Sequence, residues 1–200
     1  MIFIILFITI LTLAILVNCK GYRLNISTVA GAPIMAMGIT IKGVLMEDLS
    51  SPYVSDILFH FIIIITYWVM IHYTFDLLQG VFYSSHIEDP ISSFSIGTWI
   101  AAISIITVLL SDKQIHAPSQ ILFFINLALW FLYLGLVIRN YIFIFKGIKK
   151  YLHQIHGGLL LPCVATQSIV ISGYNIFGVS FPRSYAEILL TIGFLLYLFT

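Results

Sequence analysis

The sequence predicts an all-α polytopic membrane protein, and three observations carry the prediction. Only 8% of the 200 residues are charged while 60% are hydrophobic, where a soluble domain carries roughly 25% charge. Long stretches run without Asp, Glu, Lys or Arg, at 1–19, 24–41, 57–75, 90–111, 114–138, 151–182 and 188–200. Apolar residues come in unbroken blocks such as Ile62-Ile63-Ile64-Ile65, where a membrane barrel alternates along segments of about 10 residues. A water-soluble chain of this size leaves too much of itself exposed to hide that apolar surface; lipid solvates it instead. The mean hydropathy of +1.08 agrees.

A helix needs about 20 apolar residues to cross the hydrocarbon core. The stretches at 57–75, 90–111, 114–138 and 151–182 meet that length, and 2–17 is shorter but almost purely aliphatic. The weakest span, 29–46, holds Lys42 together with Gly31, Pro33, Gly38 and Gly43, and a last one starts near Ser184 and runs to Thr200. The expectation is therefore about six or seven transmembrane helices. Residues 1–28 form a leading helix and loop, and residues 29–200 the main transmembrane domain. Met1 leads straight into Ile2 with no positive n-region, so the leading helix is expected to be kept rather than cleaved.

Seven alternating spans put Lys20, Arg23, Arg139, Lys146, Lys149 and Lys150 on one side, against Lys113 and Arg183 on the other. The positive-inside rule makes the first side cytoplasmic. The Asn25-Ile26-Ser27 sequon then faces the cytoplasm and is unused. The expected location is the plasma membrane, with the lipid bilayer as the first partner. A net charge of +1 gives no reason to expect nucleic acid. Cys19 and Cys163 make no disulfide framework.

From residue 29 the spans fall into pairs. First members, at 29–46, 95–111 and 158–175, carry the small or turn-forming residues: Gly31, Pro33, Gly97, Thr98, Gly158, Pro162 and Gly173. Second members, at 55–75, 120–144 and 184–200, are bulkier, with Trp68 and Trp130 among their aromatic residues. Recurrence at roughly 60–65 residues reads as a helical-hairpin repeat. Its kinked inner helices would sit inside a ring of lipid-facing outer ones. Small residues that merely pack one ordinary bundle are the other reading, and both stay open.

Two blocks and a shorter one carry a resemblance. They are Glu88-Asp89-Pro90-Ile91-Ser92-Ser93-Phe94-Ser95-Ile96-Gly97-Thr98-Trp99, Gly158-Leu159-Leu160-Leu161-Pro162-Cys163-Val164-Ala165-Thr166-Gln167, and Ile34-Met35-Ala36-Met37-Gly38. In order and spacing they resemble the tellurite-resistance/dicarboxylate transporter family, which includes malate permeases, sulfite efflux pumps and slow anion channels. The resemblance runs from about residue 29 to the end, with Leu159 where the family commonly has Trp. It implies membrane transport of small anions through a pore lined by the odd helices of five hairpins. This chain has three hairpins, so the resemblance implies a short or truncated member. Self-association is then expected to complete the wall, through the face carrying Gly97, Thr98 and Thr166.

Expected lining residues are Met37, Thr40, Gly97 and Thr98, followed by Ser104, Pro162, Thr166 and Gln167. Hydroxyl, amide and freed backbone donors hold an anion weakly enough for it to leave. For each, helix packing or a hydroxyl bonded back to its own helix is the plainer reading. Lys42 either attracts anions to the outer mouth or snorkels to the interface. Asp89 is expected to cap the following helix, with Pro90 in its first turn. His60 and His72 read as interfacial or packing residues, and His153 with His156 as part of a basic linker. No metal site, cofactor or enzyme motif is found in the sequence. A non-transporting membrane subunit is the alternative function.

Overall fold

The computed structural model describes residues 26–45, 52–147 and 157–198, with Leu11 and Ile15 from the leading segment. The span at 2–17, Cys19, Lys20, Arg23, Lys149 and the His153/His156 pair lie outside the described residues. No strand occurs among the described residues. Helices α1 (Gly31–Thr40), α2 (Pro52–Leu78), α3 (Phe82–His86) and α4 (Gly97–Asp112) come first. They are followed by α5 (His116–Lys146), α6 (Leu161–Phe177) and α7 (Arg183–Leu198).

Among the described residues, four helical segments are long and apolar enough to cross a membrane: Tyr53–Leu78, Ser92–Asp112, His116–Lys146 and Gly157–Ser180. The other two expected spans are also helical. Helix α1 reaches Leu45 through a π turn at Ile41–Leu45, and α7 holds 16 residues. At 1.5 Å per residue α7 is about 24 Å long, short of the roughly 30 Å hydrocarbon core. Helix α5, at 31 residues, is about 46 Å long and outruns the core unless it tilts.

Prolines start helices here; they do not bend them. Pro52 opens α2, Pro33 and Pro118 stand third in α1 and α5, Pro162 stands second in α6, and Pro182 immediately precedes α7. At those positions the missing N–H has no intrahelical acceptor to lose. The kinks expected inside the small-residue helices therefore take another form. A 3₁₀ turn leads into each of α1, α4 and α6, at Thr28–Ala30, Ser92–Ile96 and Gly157–Leu160. Asp89 stands ahead of the second of these, its Oδ2 accepting from the Ser92 N–H at 2.8 Å, but the cap position is Ile91, which makes no side-chain bond.

Two tight helix ends set hairpin geometry. After α2, Gly80 takes φ +71° and the Val81 N–H returns to the Asp76 carbonyl at 3.0 Å. After α4, Gln114 takes φ +62° and the Ile115 N–H returns to the Leu110 carbonyl at 2.9 Å. Both are Schellman closures. The second puts a glutamine where glycine is usual.

Helix α4 is the centre of the packing. Its apolar window is 83% buried inside the protein, against 22% for α2 and 28% for α5. Helices α1, α5 and α6 pack directly against it. Close approach needs small residues. A Cβ on Gly31 would lie 2.7 Å from the Thr98 carbonyl carbon, and one on Gly97 2.9 Å from the Leu161 carbonyl oxygen. One apolar cluster joins Ile34 and Ile41 to Phe59 and Ile62 of α2 and to Trp99 and Leu109 of α4. A second joins Ile100 to Phe123, Trp130 and Val137 of α5 and to Ala165 and Ile169 of α6.

Trp130 departs from the lipid-facing place expected of it. It is 1% exposed, and its Nε1 donates to Thr166 Oγ1 at 3.0 Å. The cause lies in the spacing along α5. The buried residues Ser119, Phe123, Asn126, Trp130, Tyr133, Val137, Asn140 and Ile144 alternate by four and three, a seam of the coiled-coil kind. Phe124 and Phe131, each adjacent to a seam residue, are both 59% exposed.

Candidate functional site

Helices α1, α4 and α6 bring most of the expected lining residues to one packed seam, where their polar atoms are already engaged. Thr98 is buried and its hydroxyl donates to the Ser95 carbonyl at 2.7 Å. Thr166 is buried, donates to the Pro162 carbonyl at 2.8 Å and accepts from Trp130. Ser104 is buried and accepts from Asn126 Nδ2 at 2.9 Å. Gly97 and Pro162 are buried at the starts of α4 and α6. Met37 is half-buried, while Thr40 and Gln167 are exposed. Thr40 nonetheless bonds back to the Ala36 carbonyl at 3.0 Å.

The α4–α5 contact is the most polar in the described fold, and reading single residues did not find it. Every seventh residue of α5 donates across to α4 or its 3₁₀ entry. Ser119 Oγ reaches the Thr107 carbonyl at 2.9 Å, Asn126 Nδ2 the Ile100 carbonyl at 3.0 Å, Tyr133 Oη the Phe94 carbonyl at 2.7 Å, and Asn140 Nδ2 Ser93 Oγ at 2.6 Å. Away from water such side chains gain by finding protein partners. The heptad of Ser, Asn, Tyr and Asn was present in the sequence as the available signal.

At one end of the bundle the charges cancel in pairs. Lys42 Nζ lies 2.6 Å from Asp112 Oδ2, Lys113 pairs with Asp56, and Arg183 Nε lies 2.8 Å from Glu187 Oε1. Lys42 therefore neither stands alone at a mouth nor simply snorkels; it meets the acid that ends α4.

The other end holds a buried polar network. Asp76 Oδ2 is 3.3 Å from His86 Nε2, and His86 Nδ1 is 2.9 Å from Thr28 Oγ1. Thr28, Asp76 and His86 are 7%, 6% and 2% exposed, so this network is shut away from water. In the neutral imidazole, Nε2–H donates to the carboxylate and Nδ1 accepts from the hydroxyl. Tyr73 presents its ring edge-on to His86 and Trp99, at centroid distances of 4.8 and 4.6 Å. Its hydroxyl donates to the Ser27 carbonyl at 2.8 Å, and Trp99 Nε1 to the Thr28 carbonyl at 2.9 Å.

A hydroxyl, an imidazole and a carboxylate in line are also the parts of a nucleophilic relay. Such chemistry needs free donors beside the nucleophile to hold a developing oxyanion. Two neighbouring backbone donors are bonded elsewhere: the Val29 N–H to Ser27 Oγ and the Ala30 N–H to the Ser27 carbonyl. The network fastens the entry of α1 to the α2–α3 turn.

Between α2 and α5, with α4 as its floor, runs a cleft of about 680 Å³. Its walls are apolar except at the end where Thr28, Tyr73, His86 and Arg139 gather. Among the described residues no group of three or more His, Cys, Asp or Glu is placed to hold a metal ion. No protein-family model, curated protein or solved structure matches the chain.

Proposed function

We propose that the protein is a multi-pass membrane protein of the anion-permease class, in which α1, α4 and α6 form part of the wall of a path for a small anion. One observation carries the reading. Three times among the described residues a 3₁₀ turn runs directly into a helix, and of the helices so entered α1 and α6 both pack on α4, with the long apolar α2 and α5 more exposed. That order is what the hairpin resemblance implies. Three such helices do not enclose a pore, so self-association is part of the proposal; the expected face of Gly97, Thr98 and Thr166 is buried within the chain and does not supply the contact.

Exposed Thr40 and Gln167 are the lining candidates with surface left to offer an ion. The plasma membrane is the proposed location. Anion flux into liposomes reconstituted with the purified chain tests the proposal. Flux is expected, and Gln167→Leu is expected to lower it several-fold without loss of folded protein. One specific observation favours the second reading, a non-transporting subunit: Lys42, Thr98, Ser104 and Thr166 all spend their polar groups on protein partners. A folded, associated protein that gives no flux for chloride, nitrate, sulfite or a C4-dicarboxylate would replace the first reading by the second.

A further inference from the structure

We infer that the cleft between α2 and α5 is a seat for one anionic phospholipid, with its acyl chain along the face of α4 and its headgroup at Arg139. The cleft has the shape for a chain. Ile100 and Ile103 floor it, and Leu77, Leu132 and Leu136 are on its walls. Its length from Leu129 to Arg139 on α5 is about 15 Å at the helical rise. Both walls are helices long and apolar enough to cross a membrane, so the opening faces lipid, and its occupant arrives from the bilayer.

Charge selects the headgroup. Thr28, Tyr73 and His86 at the polar end are already bonded within the protein. Half-buried Arg139 differs. Its guanidinium donates to the Ile87 carbonyl at 2.9 Å and to Asn140 Oδ1 at 3.2 and 3.0 Å. Those bonds orient it through neutral acceptors only, and no carboxylate pairs with it among the described residues. Each of the other described arginine and lysine ion pairs lies at the opposite end or on α7. A guanidinium held by neutral groups at a membrane boundary keeps its full positive charge, and the two Nη1 N–H groups that those bonds leave are matched by a phosphate. Such a seat would hold its lipid whether or not the protein conducts anions.

Gly135 makes the test clean. It lines the cleft, and a Cβ built on it meets nothing within 4 Å, so a large side chain there fills the cleft and leaves the fold intact. The protein is purified from nanodiscs holding equal phosphatidylglycerol and phosphatidylcholine, and retained lipid is counted by native mass spectrometry. One phosphatidylglycerol per chain is expected, at least fivefold over phosphatidylcholine. Arg139→Gln is expected to erase that preference while keeping a lipid, and Gly135→Phe to remove bound lipid of both kinds. Equal retention of the two lipids by the unaltered protein overturns the inference. So does retention that neither variant changes, or crosslinking from position 135 to a second copy of the chain in place of lipid. Circular dichroism of both variants separates loss of the seat from loss of fold.

Discussion

The two ends of the helical bundle hold similar kinds of polar residue and use them in opposite ways. At the end where α4 turns into α5, three acids and three bases pair two by two at the surface, with side chains between 21% and 88% exposed. At the end where α2 turns into α3, the carboxylate of Asp76 and the imidazole of His86 are 8% and 2% exposed and share their bonds with Thr28. Water supports the first arrangement and would restore most of what a deletion removes. The second has been withdrawn from water, so each partner depends on the others. Arg139, at this second end, is held by neutral acceptors.

The largest expected effect concerns which side of the membrane each end faces. With Cys19 and Cys163 replaced by serine, a single cysteine at Gln114 or at Ser84 is expected to react with an impermeant maleimide from opposite sides. Ser84 belongs to the side that the cation distribution makes cytoplasmic. Labelling of both from one side would break the comparison, because the two ends would then share one surface.

Stability separates the ends next. His86→Leu leaves Thr28 and Asp76 each short of a partner and is expected to cost about 2–3 kcal/mol, read from denaturant unfolding in micelles. A loss under roughly 0.5 kcal/mol, the usual scatter of surface changes, would mean that this end is no more interdependent than the other. Gly97→Ala sharpens the same point through packing. Its new methyl meets the Leu161 carbonyl oxygen and Tyr133 Oη, and overpacking of this sort costs about 1–3 kcal/mol. Gly43→Ala, with open space around it, is expected to change little in the same assay.

The smallest effects lie at the charged end. Lys42→Met breaks a partly exposed pair with Asp112 and is expected to cost about 0.2–1 kcal/mol. Arg183→Gln, on a side chain 88% exposed, is expected to leave the unfolding midpoint where it was. A Lys42 variant that destabilises as much as His86→Leu would erase the distinction between the two ends.

Much of this architecture was legible along the chain, because its signals are local. Charge-free stretches located the four long helices, although α5 runs eight residues past its stretch to Lys146, and the Gly- and Pro-bearing blocks located the entries of α1, α4 and α6. Helix α2 was read too short, since Asp76 looked like the end of a span; the helix runs on to Leu78 because His86 takes up the carboxylate. Nothing in the sequence singles out His86. Its role requires knowing that the turn at 79–81 folds α3 back against α2. Of the expected lining residues, Thr98, Ser104 and Thr166 are buried with their hydroxyls bonded within the packing, while Thr40 and Gln167 are exposed.

Length and hydropathy by themselves determined that this chain is helical and built for lipid, since both depend on neighbouring residues and on the thickness of a bilayer. The tertiary structure alone decided which way each helix faces. Protein interior and lipid are almost equally apolar, so hydrophobicity does not say whether Trp130 points at α6 or at the membrane. What decides it is the set of partners across the chain: Thr166 for Trp130, Ser93 for Asn140, Asp112 for Lys42 and Thr28 for His86. Those pairs are 36 to 70 residues apart, and a polar group in an apolar surrounding is stable only where its partner happens to be.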